Sequence, residues 1–193
     1  PISGISAGLF GVVLARPVIH LRGDYLLIVT VGVGEIIRIA LINNVFGVTG
    51  GPNGIFGIAR PELFGFRIRR PQEFFYLIWG FVAVTVFLFA RLKNSRFGRA
   101  LDCLREDPVA AEGSGINTGR YQLLAFMVGA AWAGMAGCLY ASKMTIISPE
   151  SFSFWESVLI FIIVILGGAG NIAGVILGTF LIIGLPELFR GFA

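Results

Sequence analysis

Two charged side chains, Glu35 and Arg38, stand three residues apart inside an otherwise apolar run. That spacing puts both on one face of a helix. Charge within such a run is tolerated when it is paired or faces a water-filled path, so the two residues either neutralise each other or line such a path. A second candidate is Gly168-Ala169-Gly170-Asn171-Ile172-Ala173, which fits G-x-G-x-x-A, with Glu187 downstream where a ribose contact would fall. That motif works only inside a βαβ unit, and the helix it would open, residues 172–185, has no polar face to meet water. A glycine break between two apolar helices, made by Gly167, Gly168 and Gly170, accounts for the same residues. No G-x-x-x-x-G-K-[ST] run occurs, so this chain has no P-loop with which to cradle ATP. No Ser/His/Asp or Cys/His arrangement is available, and Cys103 and Cys138 lack metal-type spacing. The reading is of a chain that is not an enzyme and uses no cofactor or metal, with His20 at a surface or interface.

The third candidate is the charged stretch 91–120, which holds Arg91, Lys93, Arg96, Arg99, Arg105 and Arg120. Within it Asp107 is a good N-cap and Pro108 suits the first helical position. Val109-Ala110-Ala111-Glu112 makes one or two turns, and Gly113 and Gly115 end them. A short helix with small side chains can seat in a groove of another protein, with charged flanks fixing its register. The alternative is a solvated connecting loop.

The elements that must position these groups are apolar. The chain has 193 residues, of which 56% are hydrophobic and 13% charged, and its mean hydropathy is +0.86. Soluble domains carry about a quarter charged residues, and one of this size could not hide so much apolar surface. A bilayer can solvate it. Runs at 2–15, 25–42, 75–90, 121–141, 155–166 and 172–185 predict an all-α, polytopic transmembrane bundle of five or six spans without a sheet. Ser153 and Glu156 form a capping-box pattern ahead of one run. Pro186 stops the last. Gly129, Ala133, Gly137 and Ala141 recur every four residues, as do Gly170, Gly174 and Gly178, the spacing of faces where helix backbones approach closely. The densest basic cluster, 91–120, goes to the cytoplasm, which puts the loop before Phe75 outside despite its Arg60, Arg67, Arg69 and Arg70. The net charge of +4 then belongs to loops and lipid contacts rather than to nucleic acid.

With these pieces in order, the sequence resembles the permease subunits of branched-chain amino acid ABC importers, the LivM type. The matching stretches are Arg22-Gly23-Asp24-Tyr25-Leu26, Gly34-Glu35-Ile36-Ile37-Arg38 and Thr49-Gly50-Gly51-Pro52-Asn53-Gly54-Ile55, then Gly98-Arg99-Ala100 through Asn117. Ser148-Pro149-Glu150-Ser151-Phe152, Leu166-Gly167-Gly168 and Pro186-Glu187-Leu188 follow. The resemblance covers nearly the whole chain. It implies a type II ABC importer permease, with residues 1–193 as one transmembrane domain cut from a longer chain. It implies a second permease subunit, two cytoplasmic ATP-binding subunits and an extracytoplasmic substrate-binding protein as partners, in a bacterial inner membrane. Residues Gly98, Arg99, Ala100, Arg105, Glu106, Asp107, Pro108, Ala110, Ala111 and Gly115 would couple to an ATPase. Thr49, Gly50, Gly51 and Gly54 would form a loop motif, and Glu35 and Arg38 a pathway contact to a zwitterionic amino acid or a structural pair. Urea or short amides are alternative cargoes, and a secondary transporter or channel without an ATPase is the alternative mechanism.

Overall fold

The computed structural model describes residues 2–18, 24–44, 47, 50–58, 62–63, 66–67 and 70–190. His20, Arg22, Thr49, Arg60 and Arg69 lie outside the described residues, as does the side chain of Arg67. The helices are α1 (Ile2–Val18), α2 (Asp24–Ile42), α3 (Pro71–Lys93), α4 (Arg96–Glu106), α5 (Pro108–Gly113), α6 (Thr118–Met144), α7 (Phe154–Gly167), α8 (Ile172–Thr179) and α9 (Leu185–Arg190).

Lipid offers a backbone no hydrogen-bond partner, which is why apolar runs of this length close their bonds internally as helices. Among the described residues, Pro71–Lys93, Thr118–Met144, Pro149–Gly167 and Ile172–Arg190 are long and apolar enough to cross a membrane. These four, with the shorter apolar stretch Ile2–Arg16 and the 19-residue α2 that carries Glu35 and Arg38, are the described helices that correspond to the six apolar runs. At 1.5 Å per residue α3 runs about 35 Å and α6 about 40 Å, against a hydrocarbon core about 30 Å thick. Large apolar side chains point outward: Phe87, Ile160 and Leu177 are 63%, 62% and 64% exposed.

The described residues form two compact units, Pro1–Ser148 and Pro149–Ala193. In the first, α1 lies antiparallel on α6. A Cβ on Gly4 or Gly8 would touch Ala131, and one on Gly134 would run into Ala7. The Gly129–Ala141 face is not the one α1 meets: no other described residue of this chain comes near Gly129 or Gly137, which leaves that face open to a partner subunit. A four-residue period marks small-residue faces but does not say which of two adjacent faces a partner meets. Here the glycines of α1 select the face of Ala130, Ala131 and Gly134.

The same unit holds short antiparallel pairs that the apolar pattern does not announce: β1 (Ile55–Phe56) with β4 (Ile146–Ile147), and β2 (Glu62–Leu63) with β3 (Phe66–Arg67). They satisfy backbone groups of chain that has left the helices. Ile58 N–H also donates to Thr145 O at 3.2 Å. Gly54 permits this approach, because its φ is +75° and a Cβ there would collide with the Ile147 carbonyl. The pairing fixes the topology. The loop after α2 and the end of α6 lie together, and α4 and α5 turn the chain between α3 and α6.

The second unit is a helical hairpin. Gly174 of α8 packs on the Gly167 carbonyl of α7, and a Cβ on Gly178 would stand 3.1 Å from Ile163 O. Between the helices Gly168 and Gly170 take φ of +84° and +86°, and Asn171 Oδ1 caps α8 by accepting from Gly174 N–H at 3.3 Å. The G-x-G-x-x-A run is therefore a hairpin turn. Ser153 Oγ accepts from Glu156 N–H at 3.4 Å, the forward half of the expected box. Pro186 does not stop the last helix. A π turn over Phe180–Gly184, closed by Leu185 N–H on Phe180 O, precedes it, and the chain stays helical to Arg190. Proline lacks an N–H and its ring crowds the carbonyl four residues back; the wider π turn absorbs both defects.

Gly174→Ala should force α7 and α8 apart and cost about 1–3 kcal/mol by overpacking. Gly137→Ala, which meets open space, should change stability by less than about 0.5 kcal/mol. Thermal unfolding of the detergent-solubilised protein measures both, and an equal effect of the two variants would refute the close hairpin contact.

Candidate functional site

The junction between α3 and α6 is built by local chemistry at every turn. Ser95 caps α4, its Oγ accepting from Gly98 N–H at 3.3 Å and donating to Leu92 O at 2.6 Å. Gly98 lies so close to the end of α3 that a Cβ would meet the Lys93 and Leu92 carbonyls. Only a residue without a side chain lets α4 fold back this tightly. Ala100 and Leu104 turn inward, at 8% and 7% exposed, and Phe97 stacks on Tyr121 of α6 with ring centroids 5.7 Å apart.

Asp107 then ends α4 and starts α5. Its N–H donates to Cys103 O at 3.0 Å, and its Oδ1 accepts from Val109 N–H at 2.8 Å and Ala110 N–H at 3.2 Å. Pro108 occupies the first turn, where no N–H is needed. Gly115, at φ +82°, takes the chain out of α5. Thr118 Oγ1 donates to Glu112 Oε1 at 2.6 Å and ties α5 to the first turn of α6, where Asn117 Oδ1 caps Arg120 N–H at 3.1 Å.

Geometry sorts the ten residues singled out in this loop. Gly98, Ala100 and Ala111, the last 3% exposed, are turned into the chain's own packing. Arg99, Arg105, Glu106, Asp107, Pro108, Ala110 and Gly115 are exposed, as is Val109 at 65%. Ala111 thus faces the chain's own packing, whereas Ala110 beside it faces outward. In a six-residue helix whose one side rests on its own protein, about one position per turn faces in, and here that position is Ala111. The Glu112–Thr118 bond and the Ser95 cap were not foreseen; Ser95 ahead of a charged amphipathic run is the signal that could have shown the cap.

On α2 the charged pair is closed. Arg38 Nε donates to Glu35 Oε1 and Oε2, each at 3.0 Å, and Nη2 reaches Oε1 as well. Their side chains are 28% and 39% exposed for Arg38 and Glu35. Gly50 and Gly51 of the loop motif adopt φ of +68° and +63°, and Gly51 comes close to Ile42 O at the end of α2. Gly167, Gly168 and Gly170 lie in the hairpin turn of the second unit, so the glycine break is a tight reversal between helices. Cys103 and Cys138 are both free and exposed.

Helices long and apolar enough to cross a membrane, packed through small residues and joined by a capped polar junction, define a multi-pass membrane protein. A family model described as the branched-chain amino acid transport system, permease component, matches residues 1–193. The chain belongs to this family. It is 42% identical over its whole length to the high-affinity branched-chain amino acid transport system permease protein LivM of Escherichia coli K12, covering 50% of that protein. A probable branched-chain amino acid transport permease protein LivM of Methanocaldococcus jannaschii is 30% identical over 88% of this chain and 49% of its own. The permease protein LivH of the E. coli system is 34% identical over 70% of this chain and 42% of its own. The chain thus spans about half the length of the relatives it matches. No solved structure matches it.

If the Glu35–Arg38 pair is structural, Arg38→Leu, which leaves a lone carboxylate in the span, should reduce membrane-inserted protein more than Glu35→Gln with Arg38→Gln together. Quantifying folded protein by fluorescence-detected size exclusion compares them. Equal yields, with transport lost in both, would instead assign the pair to the pathway.

Proposed function

We propose that this chain is the transmembrane core of an ABC importer permease that moves branched-chain amino acids across a bacterial inner membrane by ATP-driven alternating access. It works with a second, related permease subunit, two cytoplasmic ATP-binding subunits and an extracytoplasmic substrate-binding protein. Hydrolysis belongs to the ATP-binding subunits, and discrimination among cargoes rests largely with the binding protein. Residues 1–193 act as part of one permease domain, with the 91–120 loop on the cytoplasmic side, where its basic residues belong by the positive-inside bias. The names of the relatives support the cargo class.

The observation that carries the reading is α5. It is a six-residue helix capped by Asp107, started by Pro108 and tied to α6 through Glu112, and it presents Val109 and Ala110 outward. A mere connector needs no such ordering. A helix this short is marginal alone, so its caps serve to hold a defined outer surface. Docked in a groove of an ATP-binding subunit, it would be pushed when the two such subunits close, and it would pass that displacement to α4 and α6. Glu35 and Arg38, closed on each other, serve as a structural pair within α2 or, where that pair opens, as a contact to a zwitterionic amino acid.

Ala110→Glu places bulk and charge on the outward surface. It should abolish substrate-stimulated ATP hydrolysis in the reconstituted full-length complex while the permease still inserts and assembles. Ala111→Arg should instead destabilise the permease itself, by several kcal/mol for an unpaired buried charge. ATP hydrolysis and uptake that survive Ala110→Glu would reduce the loop to a connector and favour a transporter that needs no ATPase.

A further inference from the structure

Trp132 lies about midway along α6, far from the membrane interfaces where tryptophan is enriched. Its indole N–H has no water to meet at that depth and must find a protein acceptor. It finds one on another helix: Nε1 donates to Thr85 Oγ1 of α3 at 2.8 Å. Thr85 in turn donates its hydroxyl hydrogen to Phe81 O at 2.7 Å, which leaves its lone pairs free to accept. The chain of bonds has one direction only, because indole can only donate. Phe81, Thr85 and Phe89 recur every four residues on one face of α3, and the indole fills the gap between them. It stacks on Phe81 at 5.6 Å and 19°, and stands edge-on to Phe89 at 5.7 Å and 79°.

This contact closes a circuit. At the junction α3 packs on α4, α4 on α5 and α6, and α5 on α6. Two helices joined only at one end would splay when that end is pushed. Joined again at mid-membrane, they tilt together.

We propose that the Trp132–Thr85 hook is the positioning contact that makes α3 and α6 move as one body when the α4–α5 junction is displaced, so that the displacement reaches the translocation path instead of spreading the helices. Trp132 and Thr85 act through helix position and do not touch cargo. The transport consequence rests on the importer reading above; the helix-pair consequence does not.

The test uses the full-length protein, spin-labelled at Val84 and Ala136, both exposed, and reconstituted in nanodiscs. Thr85→Ser keeps the acceptor and should leave the inter-helix distance distribution as in wild type. Thr85→Val keeps the shape and removes the acceptor, and should broaden or shift that distribution. Its expected loss of the joined state is roughly threefold to fifteenfold, the range of interhelical hydrogen bonds in membranes. A Thr85→Val distribution identical to wild type overturns the proposal. In the complete transporter, the ratio of substrate imported to ATP hydrolysed should fall about fivefold in Thr85→Val and recover in Thr85→Ser. Uptake and hydrolysis that fall in equal proportion would make the hook a mere stability contact and would also overturn it. Wild-type uptake that needs no ATP would sink the importer reading alone, while the nanodisc distances would still decide the hook.

Discussion

In the hydrocarbon of a bilayer a peptide group has nothing to bond to except protein, and each unbonded group costs several kcal/mol. This one constraint organises the chain. It makes every long apolar run a helix and concentrates unpaired donors and acceptors at the helix ends. Those ends are where the sequence spends its polar residues: Ser95, Asp107, Asn117, Ser153 and Asn171 each cap a helix through a side-chain oxygen. The same constraint explains the π turn ahead of Pro186, which keeps a helix helical across a residue that cannot donate.

Once backbones are satisfied, apolar side chains no longer drive helices together, because lipid solvates them as well as protein does. Association then depends on close approach and on polar hooks. Both are visible. Gly4 and Gly8 with Ala131, and Gly174 with Gly167, let backbones nearly touch, while Trp132 and Thr85 join two helices through a hydrogen bond. The buried residues are mostly small, and among those described no large side chain is fully buried. Close approach and polar bonds, rather than a core of large apolar side chains, hold these helices together.

How much of this was legible depended on the range of the interaction. The spans, the Asp107 cap, the proline start of α5, the hairpin glycines and the Glu35–Arg38 pair are all local in sequence, within about four residues of their partners, and pattern reasoning reaches that far. The ordered set of short motifs fixed the family, because each is weak but their sequence along the chain is not. What could not be read was long-range. Trp132 and Thr85 lie 47 positions apart, and nothing local to either names the other. Similarly, Gly129 and Gly137 mark a packing face, but which face α1 meets is a property of α1. Pro186 misled for a different reason: proline ends an α-helix, but the local rule does not anticipate a π turn over Phe180–Gly184, just ahead of it.

The junction holds in place a helix too short to be stable alone. An isolated segment of six residues would spend little time helical, since fixing the first turn costs more than its one bond returns. In α5 that cost is offset from outside the helix. Asp107 satisfies two N–H groups at one end, Glu112 is held by Thr118 beyond the other, and Ala111 is pressed into the protein beneath. Because the ordering comes from α4, α6 and the packing below, any displacement of α5 must be shared with those elements. A flexible loop would absorb a push by changing its own dihedrals. A capped helix anchored on both sides has less such freedom, so under the importer reading proposed above a push on it would pass to the spans.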